Sequence, residues 1–326
     1  MKRVFLLSFD HFSDRTIEHL IPILEGTPYP MRYRTTEMDS FRSIGPEEPV
    51  WDEIPFGEKE LLDEDRAIYS SLSGVRNPSK NQISPHLLKP EDADIVENLE
   101  DQVETGDLVL SIVECSSSDK LLMASYFSSR VISKDAFSIC FITRKAPFRD
   151  VKEVEVLNRE FLDLSMKFHG VVGISPRVVR SGNFINIAHM IRHLVEMNFR
   201  SGVINLDQAD LLITSKGGSV LVMTWGAARP GGDPAATSVK DALTNQLCDL
   251  DLSTVRKALV NVVGSQELSL EDSLLASEVL RKRVRKNARI IWGVNIVQDI
   301  GEDMEVFLIL STTPMELLLH WYSRQG

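Results

Sequence analysis

Gly202-Val203-Ile204-Asn205-Leu206-Asp207-Gln208-Ala209-Asp210 is the stretch from which the organisation of this chain is read. Three polar side chains, Asn205, Asp207 and Asp210, are set between apolar neighbours. The run before it, Ile185 to Phe199, places Ile187, Met190, Ile191, Leu194 and Val195 at three- and four-residue steps, the spacing of an amphipathic helix. After it, strand and helix patterns alternate towards the C-terminus. The nine residues therefore read as a loop that leaves a long helix and joins two halves of the chain. Loops of this kind carry function more often than the elements they connect. The same residues also suit plain turn chemistry, with Asp210 as a cap for a short helix starting at Leu211.

Composition narrows the field. A chain of 326 residues with 43% hydrophobic and 25% charged content is that of an ordinary globular protein, long enough for two domains. A net charge of −11 argues against nucleic acid or an anionic membrane as partner, because phosphate binding needs a basic face. The one basic cluster, Arg281 to Arg289, follows a helix pattern and reads as a solvated helix end. Cys115, Cys140 and Cys248 lack C-x-x-C spacing, which points to a reducing, cytoplasmic setting without a disulfide framework or zinc cage. No apolar run is long enough to span a membrane, and Met1 to Ser8 reads as a first strand rather than a signal peptide.

Taken in order, Arg3 to Phe9 is a buried-type strand and Asp14 to Leu24 a helix. Residues 25–90 are acidic and proline-rich, with a helix expected over Glu58 to Leu72. A helix follows from Glu91 to Val103, then a strand over Asp107 to Val113 and a helix capped by Asp119. Strands at Phe137 to Thr143 and Val171 to Ile174 flank a helix over Val151 to Phe168. Beyond the central loop come a strand from Ser219 to Thr224, a helix from Ser238 to Leu247 and a strand from Lys257 to Val263. A helix over Leu270 to Val284 opens with a variant capping box, Ser269 with Asp272. Strands at Arg289 to Ile296 and Glu305 to Leu310 follow, and the apolar residues after Leu310 suit docking on the body or on a partner. This alternation predicts an α/β fold: a doubly wound parallel sheet, a long central helix and a second, smaller α/β domain. The boundaries fall at residues 1–182, 183–204 and 205–326.

Several segments in sequence order resemble the FtsZ branch of the tubulin superfamily. Asn205 to Asp210, NLDQAD, matches the family's N-x-D-x-A-D catalytic loop. Ser219 to Gly226 looks like the next strand and its glycine turn, and Ala258 to Gly264 like a later strand. Leu268-Ser269-Leu270-Glu271-Asp272 is similar to L-T-L-E-E, and Ala288-Arg289-Ile290-Ile291-Trp292-Gly293 to A-N-I-I-F-G, with Gly301-Glu302-Asp303 before the last strand. The similarity covers roughly residues 105–311 and is strongest after 200. It implies a Rossmann-like nucleotide domain, a central helix and an activation domain. It also implies that Asn205, Asp207 and Asp210 are the catalytic set, orienting water for attack on a γ-phosphate in the next subunit of a filament.

The glycine-rich loops that hold GTP in the family are not matched. Backbone N–H groups reach phosphates where glycine permits close approach. Here the strand ending at Glu114 continues Cys115-Ser116-Ser117-Ser118-Asp119-Lys120, with no glycine between Gly106 and Gly170. Ser116, Ser117, Ser118 and Lys120 are the degenerate phosphate-loop candidates. The first loop, Ser8 to Asp14, lacks the family's glycines, and Pro147 to Glu153 lacks its ribose-contacting acid and arginine. Asn183 or Asn186 corresponds to the guanine-reading asparagine. Cys115 reads as structural rather than nucleophilic. His189 and His193, four apart, have metal-pair spacing but no third ligand in the pattern, so no metal is expected. The expectation is an FtsZ-like protein without GTP or any other cofactor and not a GTPase. It acts in filaments or cell division by head-to-tail contact with itself or a true FtsZ-type protein. Two alternatives stand beside it: a polymerising GTPase with rewired loops, which would bind GTP, and a cleft reassigned to another small ligand.

Overall fold

The computed structural model describes residues 3–8, 11–25, 31–35, 38, 42–44, 96, 98–115, 118–144, 146–199, 202–228, 233–297 and 304–325. The helix expected over Glu58 to Leu72 and nearly all of residues 25–90 fall outside them, as do Ser116, Ser117 and residues 298–303.

The strands are β1 (Val4–Ser8), β2 (Met31–Arg34), β3 (Arg42–Ile44), β4 (Leu108–Glu114), β5 (Phe137–Thr143), β6 (Gly170–Gly173), β7 (Val220–Ala227), β8 (Lys257–Gly264), β9 (Arg289–Ile296) and β10 (Glu305–Thr312). The helices are α1 (His11–Leu24), α2 (Ser118–Ser133), α3 (Val151–Ser165), α4 (Pro176–Ser181), α5 (Phe184–Phe199), α6 (Gln208–Ser215), α7 (Pro234–Thr244), α8 (Leu270–Arg281) and α9 (Pro314–Ser323). The strands form one sheet in the order β3-β2-β1-β4-β5-β6-β7-β10-β8-β9. Period-two alternation divides the core between its faces. Phe5, Leu7, Val109, Val113, Cys140 and Ile142 belong with residues of α2, α3, α7, α8 and α9. Leu6, Leu110, Ile112, Ile139 and Phe141 belong with residues of α1, α4, α5 and α6. Strands covered on both faces read as near-continuous apolar runs, as β4 and β5 do.

The α/β class holds, with one correction. Val172 of β6 pairs with Leu221 of β7, so the strands of both halves form one continuous sheet. That sheet is not wholly parallel. β10 runs antiparallel to both β7 and β8, and β3 antiparallel to β2. Only residues 297–304 link β9 to β10, too few for the crossover of a dozen or more residues that a parallel return requires. Gly226 is not in a turn either; it lies inside β7 under α7. A Cβ there would come within 2.1 Å of Ala242 N and 2.5 Å of Ser238 O, so the missing side chain lets the α7 backbone sit on the strand.

The residues after Leu310 dock on the body. Thr313 and Glu316 close a capping box with Pro314 at the first turn, which starts α9. Leu317, Leu318 and Trp321 are buried. A Cβ on Gly173 would meet Leu317 at 2.8 Å and Trp321 at 2.9 Å, so β6 ends in glycine where α9 crosses it.

Along α5 the apolar stripe Ile187, Met190, Ile191, Leu194 and Val195 is buried as its spacing predicts. His189 and His193 pack rather than pair. The His189 ring is 4.6 Å from that of Trp225, and His193 stacks on Phe307 at 5.5 Å. Burial pushes the His193 pKa down to about 3, helped by Arg192 and His189. Glu305 at 3.6 Å pulls the other way but lies beyond hydrogen-bond reach, so desolvation wins. His169, stacked on Phe137 at 4.5 Å, is pushed to about 4 by burial, and its Nδ1 accepts from Ser138 N at 3.0 Å.

Two outcomes follow. Gly226→Ala lowers stability by about 3 kcal/mol through backbone overlap. Gly217→Ala, at φ 91° with no atom within 4 Å of the added Cβ, costs about 1–2 kcal/mol of backbone strain. Urea unfolding of the two variants reads the difference. Both histidines fold neutral, so stability is complete above pH 6.5. It falls on acidification towards pH 4 as the unfolded chain takes up their protons, by on the order of 1 kcal/mol per unit for each. Urea midpoints at pH 7 and pH 5 show this slope, and His193→Gln makes it shallower.

Candidate functional site

The central loop is held by its apolar residues. Leu206 is buried in the core face that α5 covers. Ile204 pairs antiparallel with Val294 of β9, Ile204 N donating to Val294 O at 3.4 Å and Val294 N to Ile204 O at 2.9 Å. Glycine stands on both sides of this contact. A Cβ on Gly202 would lie 2.2 Å from Val294 O, and one on Gly293 would lie 2.4 Å from Leu206 Cγ and 2.7 Å from Ile204 O. With these anchors set, Asn205 is exposed, Asp207 and Asp210 are half-buried, and Val203 is 61% exposed.

The three polar residues have local partners. Asn205 Oδ1 accepts from Gly202 N. Asp207, rather than Asp210, is the N-cap, and α6 starts at Gln208 rather than Leu211. The Asp207 carboxylate accepts from Ala209 N at 2.7 Å and Asp210 N at 3.0 Å. Asp210 returns a capping-box bond by accepting from Asp207 N at 3.2 Å. Burial raises the Asp210 pKa. The bond from Asp207 N opposes the rise, repulsion from Asp207 adds to it, and Arg289 opposes it. The structure thus brings Asn205, Asp207 and Asp210 together at the surface, with Arg289 as a cation that the sequence pattern did not associate with them.

The Ser116–Lys120 candidates lie elsewhere. In a doubly wound sheet, ligands sit beyond the carboxyl ends of strands where the direction of winding reverses. Here the reversal falls between β1 and β4. Asp14 stands in the first turn of α1, buried, with its carboxylate accepting from Ser8 Oγ at the end of β1. Glu114 ends β4, and Asp119 lies exposed in the first turn of α2, as its second residue rather than the cap expected. Ser116 and Ser117 are outside the described residues, Ser118 opens α2 and Lys120 is half-buried in its first turn. Asp14, Glu114 and Asp119 therefore all stand in the segments at the carboxyl ends of β1 and β4.

The neighbouring segments are used internally. Burial pushes the Cys115 thiol up to about 12 although Arg144 pulls it down, so it stays a thiol at neutral pH. Asp150, in the Pro147 to Glu153 stretch, caps α3 by accepting from Glu153 N at 2.9 Å. Glu153 pairs with the buried Arg144 at 3.0 Å, and Arg144 lies 4.5 Å above the Phe148 ring. Asn186 donates to Asn245 Oδ1 at 3.3 Å, tying the start of α5 to the end of α7, and Asn183 sits half-buried just before α5. Among the described residues no group of three His, Cys, Asp or Glu side chains is arranged to hold a metal.

Comparison with known proteins fits this architecture. Residues 219–313 match the model of the FtsZ family, C-terminal domain. Cell division protein FtsZ 1 of Halobacterium salinarum is 35% identical over 121 residues, 37% of this chain and 30% of that protein. The matching segment thus spans about a third of the curated relatives' length. Among solved structures, an empty FtsZ dimer from M. jannaschii superposes with a TM-score of 0.60 at 17% identity, over 95% of this chain and 88% of that one. CetZ from Methanosaeta thermophila gives 0.63 at 15% identity over 99% and 90%. No described helix is long and apolar enough to cross a membrane. Sequence likeness thus places an FtsZ C-terminal domain at residues 219–313, and the fold over nearly the whole length is that of the FtsZ and CetZ structures.

Proposed function

We propose that this chain is a nucleotide-independent FtsZ-like protein of the cytoskeleton or division apparatus, working through head-to-tail contacts rather than GTP hydrolysis. The observation that carries the reading is the contrast between two sites. The loop of Asn205, Asp207 and Asp210 is built and presented at the surface on its glycine anchors. The β1/β4 edge meets an incoming phosphate with Asp14, Glu114 and Asp119, and residues 107–169 contain no glycine to bring backbone N–H groups close. A unit charge about 4 Å from a phosphate oxygen costs roughly 1 kcal/mol in water and about 4 kcal/mol at a protein surface. A head-to-tail contact is heterologous, one face of a subunit meeting a different face of the next. A chain with a sound loop and a closed phosphate edge keeps one half of such a joint. It docks on a second copy or on an FtsZ-type subunit, in the cytoplasm.

Calorimetry with GTP and GDP shows no binding at millimolar nucleotide, and no phosphate is released. Micromolar binding that is lost in a Ser116→Ala, Lys120→Ala double variant would establish the GTPase alternative instead. Added to polymerising FtsZ 1 of Halobacterium salinarum, the chain alters filament length or turnover; unchanged filaments rule out docking on that partner.

The loop variants separate structure from contact. Asp207→Ala costs about 1 kcal/mol of stability by removing the cap. Asp207→Ser keeps a capping side chain and nearly full stability while removing the charge. Both lose the effect on filaments if the carboxylate makes the contact. Asp207→Ser retaining the full effect limits Asp207 to capping α6.

A further inference from the structure

Beyond the loop and the phosphate edge, the structure holds a small open cleft at the carboxyl ends of β5 and β6. Its lining joins three parts of the chain: Phe148 from the β5–α3 connection, Arg177 and Arg180 from α4, and Trp321 and Arg324 from α9 and its end, with Asp249 beside them. Arg177 and Arg180 are three apart on one helix, so they share a face. Neither guanidinium has an ion pair or hydrogen-bond acceptor among the described residues, and both are exposed. Arg324 is shared, 3.5 Å from Asp249 Oδ1.

Asp249 does not serve the other two arginines. It is buried and occupied: Ser175 Oγ donates to its Oδ2 at 2.6 Å, His320 Nε2 lies 3.2 Å from Oδ1, and its backbone carbonyl accepts from Trp321 Nε1 at 2.9 Å. The far wall is fixed as well. Gln325 clamps Phe148 from both sides, accepting from Phe148 N at 2.6 Å and donating to Phe148 O at 2.9 Å, and Tyr322 meets the Phe148 ring edge-on at 6.2 Å. Two unspent guanidinium forks therefore face a rigid, partly aromatic cleft whose one carboxylate is already committed.

We propose that this cleft is a binding site for a small oxyanion of phosphate type, inorganic phosphate or a compact phosphomonoester, held by Arg177 and Arg180 with Arg324 at the rim. Planar guanidinium forks match phosphate and carboxylate oxygens two at a time, which an ammonium does not. The space is small and open to solvent, which suits a single phosphoryl group at its surface rather than an enclosed nucleoside triphosphate. The ligand touches both α4 and the end of α9, so binding fastens the C-terminal helix to the first half of the chain. This site is independent of the proposed function, because neither the loop nor the β1/β4 edge contributes to it.

The test uses the full chain with inorganic phosphate and phenyl phosphate as probes, read by calorimetry and by thermal unfolding against sodium chloride of equal ionic strength. The expected result is saturable binding and a Tm that rises with either phosphate but not with chloride. An Arg177→Ala, Arg180→Ala double variant, with an unchanged circular dichroism spectrum, weakens binding at least tenfold and abolishes the Tm shift. Arg177→Lys, Arg180→Lys keeps the charge and still loses most of the affinity. Phosphate shifts that persist in the alanine variant, shifts reproduced by chloride, or no binding at 10 mM of either probe (roughly a hundredfold above a 0.1 mM Kd) each overturn the proposal. Phenyl phosphate binding where inorganic phosphate does not assigns the aromatic wall to the substituent and the site to phosphomonoesters. If full binding survives in the lysine variant, the site is a diffuse positive patch and the proposal falls.

Discussion

The close approach of the central loop to β9, with Gly202 against Val294 and Gly293 against Ile204 and Leu206, is the constraint on which the loop depends. Each glycine stands where a Cβ would overlap backbone or a core side chain by more than neighbouring atoms can yield. The approach lets the loop cover the open side of β9, an edge strand with unpaired backbone groups. Leu206 then enters the core and Asp207 starts α6. The exposed position of Asn205 and Val203 is a consequence of this seating. A looser contact would leave the same residues in sequence but without a common surface.

Elements on both faces of the sheet tie its two halves together. α5 lies on one face and buries Leu194 and Val195 with Met223 and Phe307 of the second half, while α9 returns on the opposite face to pack against α3. The two halves are thus bridged on both faces by elements from different ends of the chain. His193, desolvated between α5, β7 and β10, has no partner for Nδ1, and Trp225 beside it has none for Nε1 among the described residues. Unmet polar atoms at a packed junction cost about 1–3 kcal/mol each, so apolar packing around them supplies the stability there.

Much of this was legible in the sequence, and the rest was hidden for identifiable physical reasons. The α5 stripe, the apolar runs of β4, β5 and β8, and the Ser269 start of α8 follow from period, burial and capping rules that act locally. The direction of β10 is not local: a fully buried strand reads VFLIL whether its neighbours run with it or against it. Gly226 looks the same in a turn and under a crossing helix until the helix is in place. At the candidate site, the grouping of Asn205, Asp207 and Asp210 was visible, but their division of labour was not. Asp207 and Asp210 are both good caps, and the choice between them depends on where Leu206 is pinned. Arg289 acts on Asp210 from 79 residues away along the chain, and no spacing rule reports that.

The electrostatics of the β1/β4 edge follow from how helix ends are used. The first turn of a helix offers unpaired N–H groups and about half a positive charge, and that is what a phosphate exploits. A carboxylate in the same turn takes up that potential without any ligand. Asp14 in α1 does so while also accepting from Ser8 Oγ, so the end of β1 and the start of α1 satisfy each other. Asp119 occupies the corresponding turn of α2, and Asp150 caps α3 outright. The two helices that begin at this edge, α1 and α2, thus carry a carboxylate in their first turns, as α3 does at its cap beside them. On the proposed reading, an arriving triphosphate meets carboxylates that are part of the chain. The two arginines of α4 are placed differently: α4 is capped by the hydroxyl of Ser175, which brings no charge, and Asp249 in the same cleft is engaged by Ser175, His320 and Arg324. Positive potential at this end of the molecule is thus cancelled at the β1/β4 edge and left open beside β6.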